Sequence, residues 1–305
     1  MKEELPSLES TLKSADTEEF IDIHFYRPVG YRWAVFFHKL GVTPNQITIA
    51  SIFIGVAAGI CFYFDTLWIT VLGIFLLVWA NSYDSADGQL ARMTGQKSAL
   101  GRILDGACGD FWFGAIYIAI ALRLQPEWGW KIWALALVTG YFHSRQAAMA
   151  DYYRNAHLLF LKGKSGSELD NSVKLKEKYK ELSWRKEPLI KLFETFYLSY
   201  TEGQESWSPK FQQLLQALQE RFGNQMPERF CSSFRQKSLP LMKYTNMLSF
   251  NTRAIALFVS LLIKQPWAYF VFEITVLNIM LVYMIARHEC LSQQLAKEIK
   301  DGLYD

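Results

Sequence analysis

The chain has 305 residues, 51% of them hydrophobic, and a formal net charge of +3. So small a charge leaves no electrostatic footprint for nucleic acid. The apolar residues fall in long blocks separated by charged blocks, which sets the chain apart from a soluble domain and points to a polytopic membrane protein. Cys61, Cys108, Cys231 and Cys290 are scattered without metal-type spacing and read as small hydrophobes.

Residues 1–19 form a polar arm with no cleavable signal peptide, so the first apolar helix is expected to serve as the membrane signal. Residues 20–46 mix Phe25, Tyr26, Tyr31, Trp33, Phe36 and Phe37 with Arg27, Arg32 and Lys39. That mixture suits an amphipathic helix lying in the lipid interface, with an ordinary soluble amphipathic helix as the alternative. A span needs roughly 20 mostly apolar residues. Six segments approach that length, at about 47–64, 67–92, 100–122, 130–151, 247–263 and 267–285. The expected fold is therefore an all-α membrane helix bundle. Spans one to four fill 47–151, a cytoplasmic helical insert fills 152–244, spans five and six fill 245–286, and a tail runs over 287–305. Within the insert, 171–184 and 210–222 have helical spacing with charged faces. These helices read either as resting on the bilayer surface or as a solvated cap.

Outside the spans, nearly all Lys and Arg fall on the side that holds the termini, the turn with Arg92, Lys97 and Arg102, and the insert. The opposite side holds only Arg123, Lys131 and Lys264. The positive-inside rule then places both termini and the acidic motif described next in the cytoplasm, at an inner membrane if the cell is bacterial.

Asp84, Asp87, Arg92, Arg102, Asp105 and Asp110 lie within or against apolar helices, where ionisable groups usually mark a site. At about 100° per residue, Asp84, Asp87, Gly88, Ala91 and Arg92 share one helix face. Gly101 and Asp105 share a stripe on the next helix, which a short turn makes an antiparallel neighbour. Carboxylates meeting there repel unless a cation neutralises them, and oxygen ligands without His or Cys favour Mg²⁺, Mn²⁺ or Ca²⁺. Gly88 and Ala91 leave room for a substrate against the helix. The residues alone thus imply a divalent-metal site for a diphosphate compound at the membrane surface. The alternative is a helix-end salt-bridge cluster pairing Asp84, Asp87 and Asp105 with Arg92 and Arg102.

The run Asp84-x2-Asp87-Gly88-x2-Ala91-Arg92-x8-Gly101-x3-Asp105 resembles the signature of the CDP-alcohol phosphatidyltransferases, spacing included. Thr43-Pro44-Asn45-Gln46-Ile47-Thr48 also resembles that family's entry to its first span. The likeness covers about residues 20–153, and span order extends it to 286, but the insert lies outside it. It implies a membrane enzyme of phospholipid synthesis in which an alcohol attacks a CDP-linked donor, typically CDP-diacylglycerol, and CMP leaves. By position, Asp84, Asp87, Asp105 and Asp110 would hold Mg²⁺ or Mn²⁺, two ions by implication. Asn45, Thr48, Gly88, Ala91, Arg92 and Gly101 would border the nucleotide. A homodimer is expected from the family alone.

One departure stands out. The family pattern ends Asp-x3-Asp, its last Asp being the base that deprotonates the acceptor. Here position 109 is Gly109 and the carboxylate follows at Asp110. On a regular helix Asp110 lies about 140° from Asp105. Either a one-residue π-bulge, eased by Gly106 and Gly109, swings Asp110 into the site, or another group is the base, or catalysis is impaired and the protein binds lipid or nucleotide.

For the acceptor, His143, Arg145, Asp151 and Arg154 lie near the end of span four, and Arg253 lies in span five. If Arg145, Arg154 and Arg253 converge, the acceptor carries a phosphate, as inositol phosphate or glycerol phosphate does. Otherwise Arg145 pairs with Asp151 or a carbonyl and Arg253 snorkels to the interface. Serine, inositol and choline- or ethanolamine-type acceptors stay open. Membrane prenyltransferases also cluster Asp and Mg²⁺ but lack the Asp-Gly-x2-Ala-Arg core.

Overall fold

The computed structural model describes residues 6–11, 14–96, 99–223 and 225–305, apart from the side chains of Ser10, Ala99, Leu100, Arg102, Ile103, Asp105 and Leu189. The described residues are helical with no strand. They form two units, 1–144 with 250–276 and 145–249 with 277–305.

In the first unit, α1 (Arg27–Lys39) follows a π-turn at Asp22–Tyr26. The helix α2 (Pro44–Tyr63) begins with Pro44 in its first turn, where the missing N–H costs nothing. Gln46 Oε1 accepts from Thr43 N at 2.9 Å, closing one half of a capping box. The helix α3 (Leu67–Thr94) ends at Gly95, whose φ of 68° is the left-handed stop that glycine adopts without strain. Next come α4 (Ala99–Trp128) and the start of α5 (Lys131–Lys162). The unit is completed by α11 (Phe250–Leu262), α12 (Trp267–Phe272) and most of a π-turn at Glu273–Leu277.

The helix α2 packs on both α3 and α4, and small residues set how close it comes. A Cβ on Gly55 would sit 2.0 Å from Trp112, and one on Gly59 would meet the Ala115 backbone at 3.0 Å. In that space the Trp112 indole is buried and its Nε1 donates to Ser51 O at 3.0 Å. Phe62, Leu77, Ile116, Ile120, Leu257 and Phe270 continue this core. The helix α1 packs on α3. Trp33 stacks with Phe37 and Trp79 and meets Tyr83 edge-on, whereas Phe20, Phe25 and Phe36 are exposed. The aromatics of the expected interfacial helix therefore divide between a helix contact and an outer face.

In the second unit, α5 continues to Lys162. It is followed by α6 (Ser172–Glu181), α7 (Pro188–Ser206), α8 (Pro209–Phe222), α9 (Glu228–Ser238) and α10 (Met242–Asn246), and the unit closes with α13 (Asn278–Lys300). The two helices read from spacing in the insert are α6 and α8, while α7 and α9 were not foreseen. The residues expected to be a tail are largely the end of α13, which packs on α8. Glu289 of α13 accepts from Lys210 N at 2.6 Å and Phe211 N at 3.1 Å, which caps the first turn of α8 with a negative charge.

Four helical stretches among the described residues are long and apolar enough to cross a membrane: Pro44–Tyr63, Leu67–Thr94, Gly106–Trp128 and Trp267–Lys300. They correspond to expected spans one, two, three and six. At the expected fourth span, α5 has the length, but it carries His143, Arg145 and Asp151 and is less apolar. At the expected fifth, α11 has 13 residues, about 20 Å of helix at 1.5 Å per residue against a hydrocarbon core of about 30 Å.

Candidate functional site

Every described residue of the acidic motif lies in the first unit. Regular helix geometry puts Asp84, Asp87, Gly88, Ala91 and Arg92 on one face of α3, as their spacing predicts. Asp87 is buried and Asp84 half-buried. Thr48 of α2 donates its hydroxyl to Asp87 Oδ2 and also reaches Pro44 O at 3.1 Å. One turn along α2, Ser51 Oγ lies 3.2 Å from Cys108 Sγ of α4. The start of α2 thus forms a polar seam against the acidic face, with Asn45 half-buried one turn before Thr48.

Beside the carboxylates the surface is low. A Cβ on Gly88 would meet only the Arg92 guanidinium, at an ordinary 3.4 Å, and Ala91 and Gly101 are half-buried. A group the size of a phosphate can approach the helix there. Arg92 directs its Nε to the backbone oxygen of Thr11 in the N-terminal arm. Gln89, fully buried, binds the same arm and its neighbours: its Oε1 accepts from Thr11 Oγ1 at 3.2 Å and its Nε2 donates to Arg27 O at 3.1 Å. No local pattern singles out Thr11 or Gln89, because their contacts span about eighty residues of chain.

The Asp105 side chain lies outside the described residues. Among those described, no three of His, Cys, Asp and Glu cluster as metal ligands. The donor chemistry nevertheless suits a hard cation. Asp84 and Asp87 offer oxygen only, and a hydroxyl already orients one of them, as supporting shells around metal carboxylates do.

The expected π-bulge is absent. The helix α4 is α-helical throughout Ala99–Trp128, so Asp110 keeps its regular position, about 140° around the axis from residue 105. Added Cβ atoms on Gly106 and Gly109 would meet nothing within 4 Å, so nothing crowds the helix into a bulge. Asp110 instead shares a face with Phe113 and Tyr117, within about 60°. Its exposed carboxylate lies in Coulombic reach of His143 and Arg253.

Each of the three candidate acceptor arginines has neighbours within its own unit. Arg253 is fully buried in the first, and its Nη1 donates to Glu273 at 2.6 and 2.9 Å. It neither snorkels nor presents a bare charge, because Glu273 supplies the anion. In the second unit Arg145 lies against Gly203 and Arg154 Nη2 donates to Asn246 Oδ1 at 3.3 Å. The sequence reading missed Glu273, although a lone carboxylate in an apolar run was the available signal.

Residues 41–156 match the family model of CDP-alcohol phosphatidyltransferase. The chain is 35% identical over 113 residues to an archaetidylinositol phosphate synthase from Pyrococcus horikoshii, covering 37% of this chain and 57% of that protein. It is 38% identical over 85 residues to a phosphatidylinositol phosphate synthase from Corynebacterium glutamicum, covering 27% and 36%. It is 30% identical over 98 residues to a bifunctional IPC transferase and DIPP synthase from Aquifex aeolicus, covering 32% and 22%. The chain thus covers less than two thirds of each relative's length. The matched segment contains the whole acidic motif, α2 to α4 and most of α5. By this match residues 41–156 are similar to the CDP-alcohol phosphatidyltransferase domain, within a chain whose apolar helices mark an integral membrane protein.

Proposed function

We propose that the protein transfers a phosphatidyl group from CDP-diacylglycerol to an alcohol-phosphate acceptor and releases CMP. The observation that carries this reading is the shared face of α3. It bears two carboxylates, one clasped by Thr48, beside a low surface at Gly88 and Ala91, within the segment that matches the family. The acceptor hydroxyl attacks the phosphorus that bears the diacylglycerol. The bond to the CMP oxygen breaks, CMP leaves with that bond's electrons, and the hydroxyl proton passes to a base. Asp84, Asp87 and Asp105 would hold Mg²⁺ or Mn²⁺, which would neutralise the diphosphate and the leaving phosphate. Asn45, Thr48, Gly88, Ala91, Arg92 and Gly101 border the nucleotide, and Asp110 is the candidate base. An inositol-phosphate-type acceptor is favoured because two relatives are named as an archaetidylinositol phosphate synthase and a phosphatidylinositol phosphate synthase. In this reading α5 and α11 complete six crossings, α1 lies in the interface, and the site and both termini face the cytoplasm.

A second reading, a family member that binds lipid or nucleotide without turnover, draws on one observation. The face of α4 where the family carries its base holds Gly109, with open space around it. One experiment separates the two. Purified protein is given CDP-diacylglycerol, Mg²⁺ or Mn²⁺ and a panel of acceptors, and CMP and lipid product are measured. Release of CMP with an alcohol phosphate supports the transferase; no release with any acceptor favours the binder.

A further inference from the structure

The arm before α1 reads from the sequence only as polar, yet in the first unit it is pinned to the helix that carries the acidic face. Its Thr11, Ser14 and Thr17 are buried. The short turn Glu9–Thr11 closes through Thr11 N, which donates to Leu8 O at 3.0 Å. The Thr11 hydroxyl shares its proton between Leu8 O at 2.6 Å and Gln89 Oε1 of α3 at 3.2 Å. The Thr11 carbonyl then accepts from Arg92 Nε, one turn further along α3. Two more anchors follow in the arm. Glu18 accepts from Arg27 Nε at 2.9 Å, and Glu19 accepts from Asn251 Nδ2 of α11 at 3.0 Å. Ordering a polar segment costs conformational entropy, and hydrogen bonds made partly out of water offset it.

What this ordering fixes is Arg92. Its guanidinium lies over Gly88: a Cβ on that glycine would be 3.4 Å from Nη1 and 3.5 Å from Nη2. Asp84, Asp87 and Gly88 share the same helix face. A long arginine side chain samples many rotamers unless something holds it. The guanidinium is planar, so an acceptor fixed at Nε also sets the direction of both Nη groups. A planar fork in a set direction matches a phosphate group bidentately. Thr11 lies outside residues 41–156, so this hold comes from a part of the chain that the family match does not reach.

We infer that Thr11 is a positioning residue for the CDP-linked donor: bonded to Gln89, it presents its carbonyl to Arg92 Nε and so sets the guanidinium over Gly88, where the diphosphate binds. The inference deepens the transferase reading and rests on it. Arg92 is the group that meets the diphosphate, and Thr11 acts through it.

The test is binding of CDP with Mg²⁺ to the full chain in detergent, followed by steady-state CMP release from CDP-diacylglycerol, with thermal melting measured on the same samples. Thr11→Val keeps the shape and removes the hydroxyl that bonds Gln89. It is expected to raise Kd for CDP and KM for CDP-diacylglycerol at least about threefold, the scale of one lost hydrogen bond, while kcat stays within about twofold. Thr11→Ser retains the hydroxyl and is expected to bind CDP within about twofold of wild type. A role in packing alone would reverse that order, because serine lacks the methyl group that valine keeps. Unchanged CDP affinity in Thr11→Val overturns the inference. So does tighter binding, which would make the arm a competitor of the ligand, and so does a loss in Thr11→Ser as large as in Thr11→Val. Where Thr11→Val does not hold its fold, Thr11→Ala carries the test with the same expected rise, and an unchanged Kd there also overturns it. Failure of the transferase reading shows separately, as a wild-type chain that neither binds CDP nor releases CMP.

Discussion

Thr48 and Asp87 are joined by a hydrogen bond that ties the first turns of α2 to the acidic face of α3. Both residues are buried, so the bond is made out of water, where an unmet carboxylate lone pair is costly. Thr48→Val keeps the shape and deletes the donor. A bond to a charged group contributes about 1.5–3 kcal/mol. If that is lost in the transition state, CMP release falls at least about tenfold. Thr48→Ser retains most of the rate.

The acidic face makes metal dependence testable. Treatment with EDTA followed by desalting is expected to abolish CMP release, and Mg²⁺ or Mn²⁺ to restore it. Asp84→Asn raises the metal concentration needed for half-maximal rate. Full activity in the chelated protein would remove the metal from the proposal.

Asp110 acts from its own face of α4 or not at all, since no bulge brings it round to the position of residue 109. As the proposed general base it would contribute about 10²–10⁴ in rate, so Asp110→Asn is expected to lower kcat by that range. Gly109 has open space around it, and Gly109→Asp in the Asp110→Asn background therefore folds. That double variant is expected to regain part of the lost rate, as read by CMP release.

Gly55 is a packing position. Its missing Cβ leaves the space that the Trp112 indole fills, and no side chain fits there without moving that ring. Gly55→Ala is expected to destabilise the bundle by about 1–3 kcal/mol, the usual cost of overpacking. Lower melting temperature in detergent with the acidic motif intact is the measurement.

Glu289 anchors the second unit by capping α8 from α13. Loss of a helix cap costs about 0.5–2 kcal/mol. Glu289→Ala is expected to raise protease cutting around 209–222 and to leave the KM for the CDP-linked donor unchanged.

The sequence by itself determined the helical class, the approximate places of α2, α3, α4 and the last apolar helix, and the shared face of Asp84, Asp87, Gly88, Ala91 and Arg92. These follow from local rules: apolar length, helical period and the spacing of ionisable groups. Only the tertiary structure decided which residues meet across helices. Thr48 pairs with Asp87, Gly55 makes room for Trp112, and Arg92 reaches the backbone at Thr11. The choice between a bulged and a regular α4 belongs here too: open space around Gly106 and Gly109 permits either, and the helix is regular throughout. Arg253 and Glu273 show the same limit. Each is visible as a charge in an apolar run, but that they neutralise each other depends on a π-turn and on the approach of α11 to α12, which no local pattern encodes.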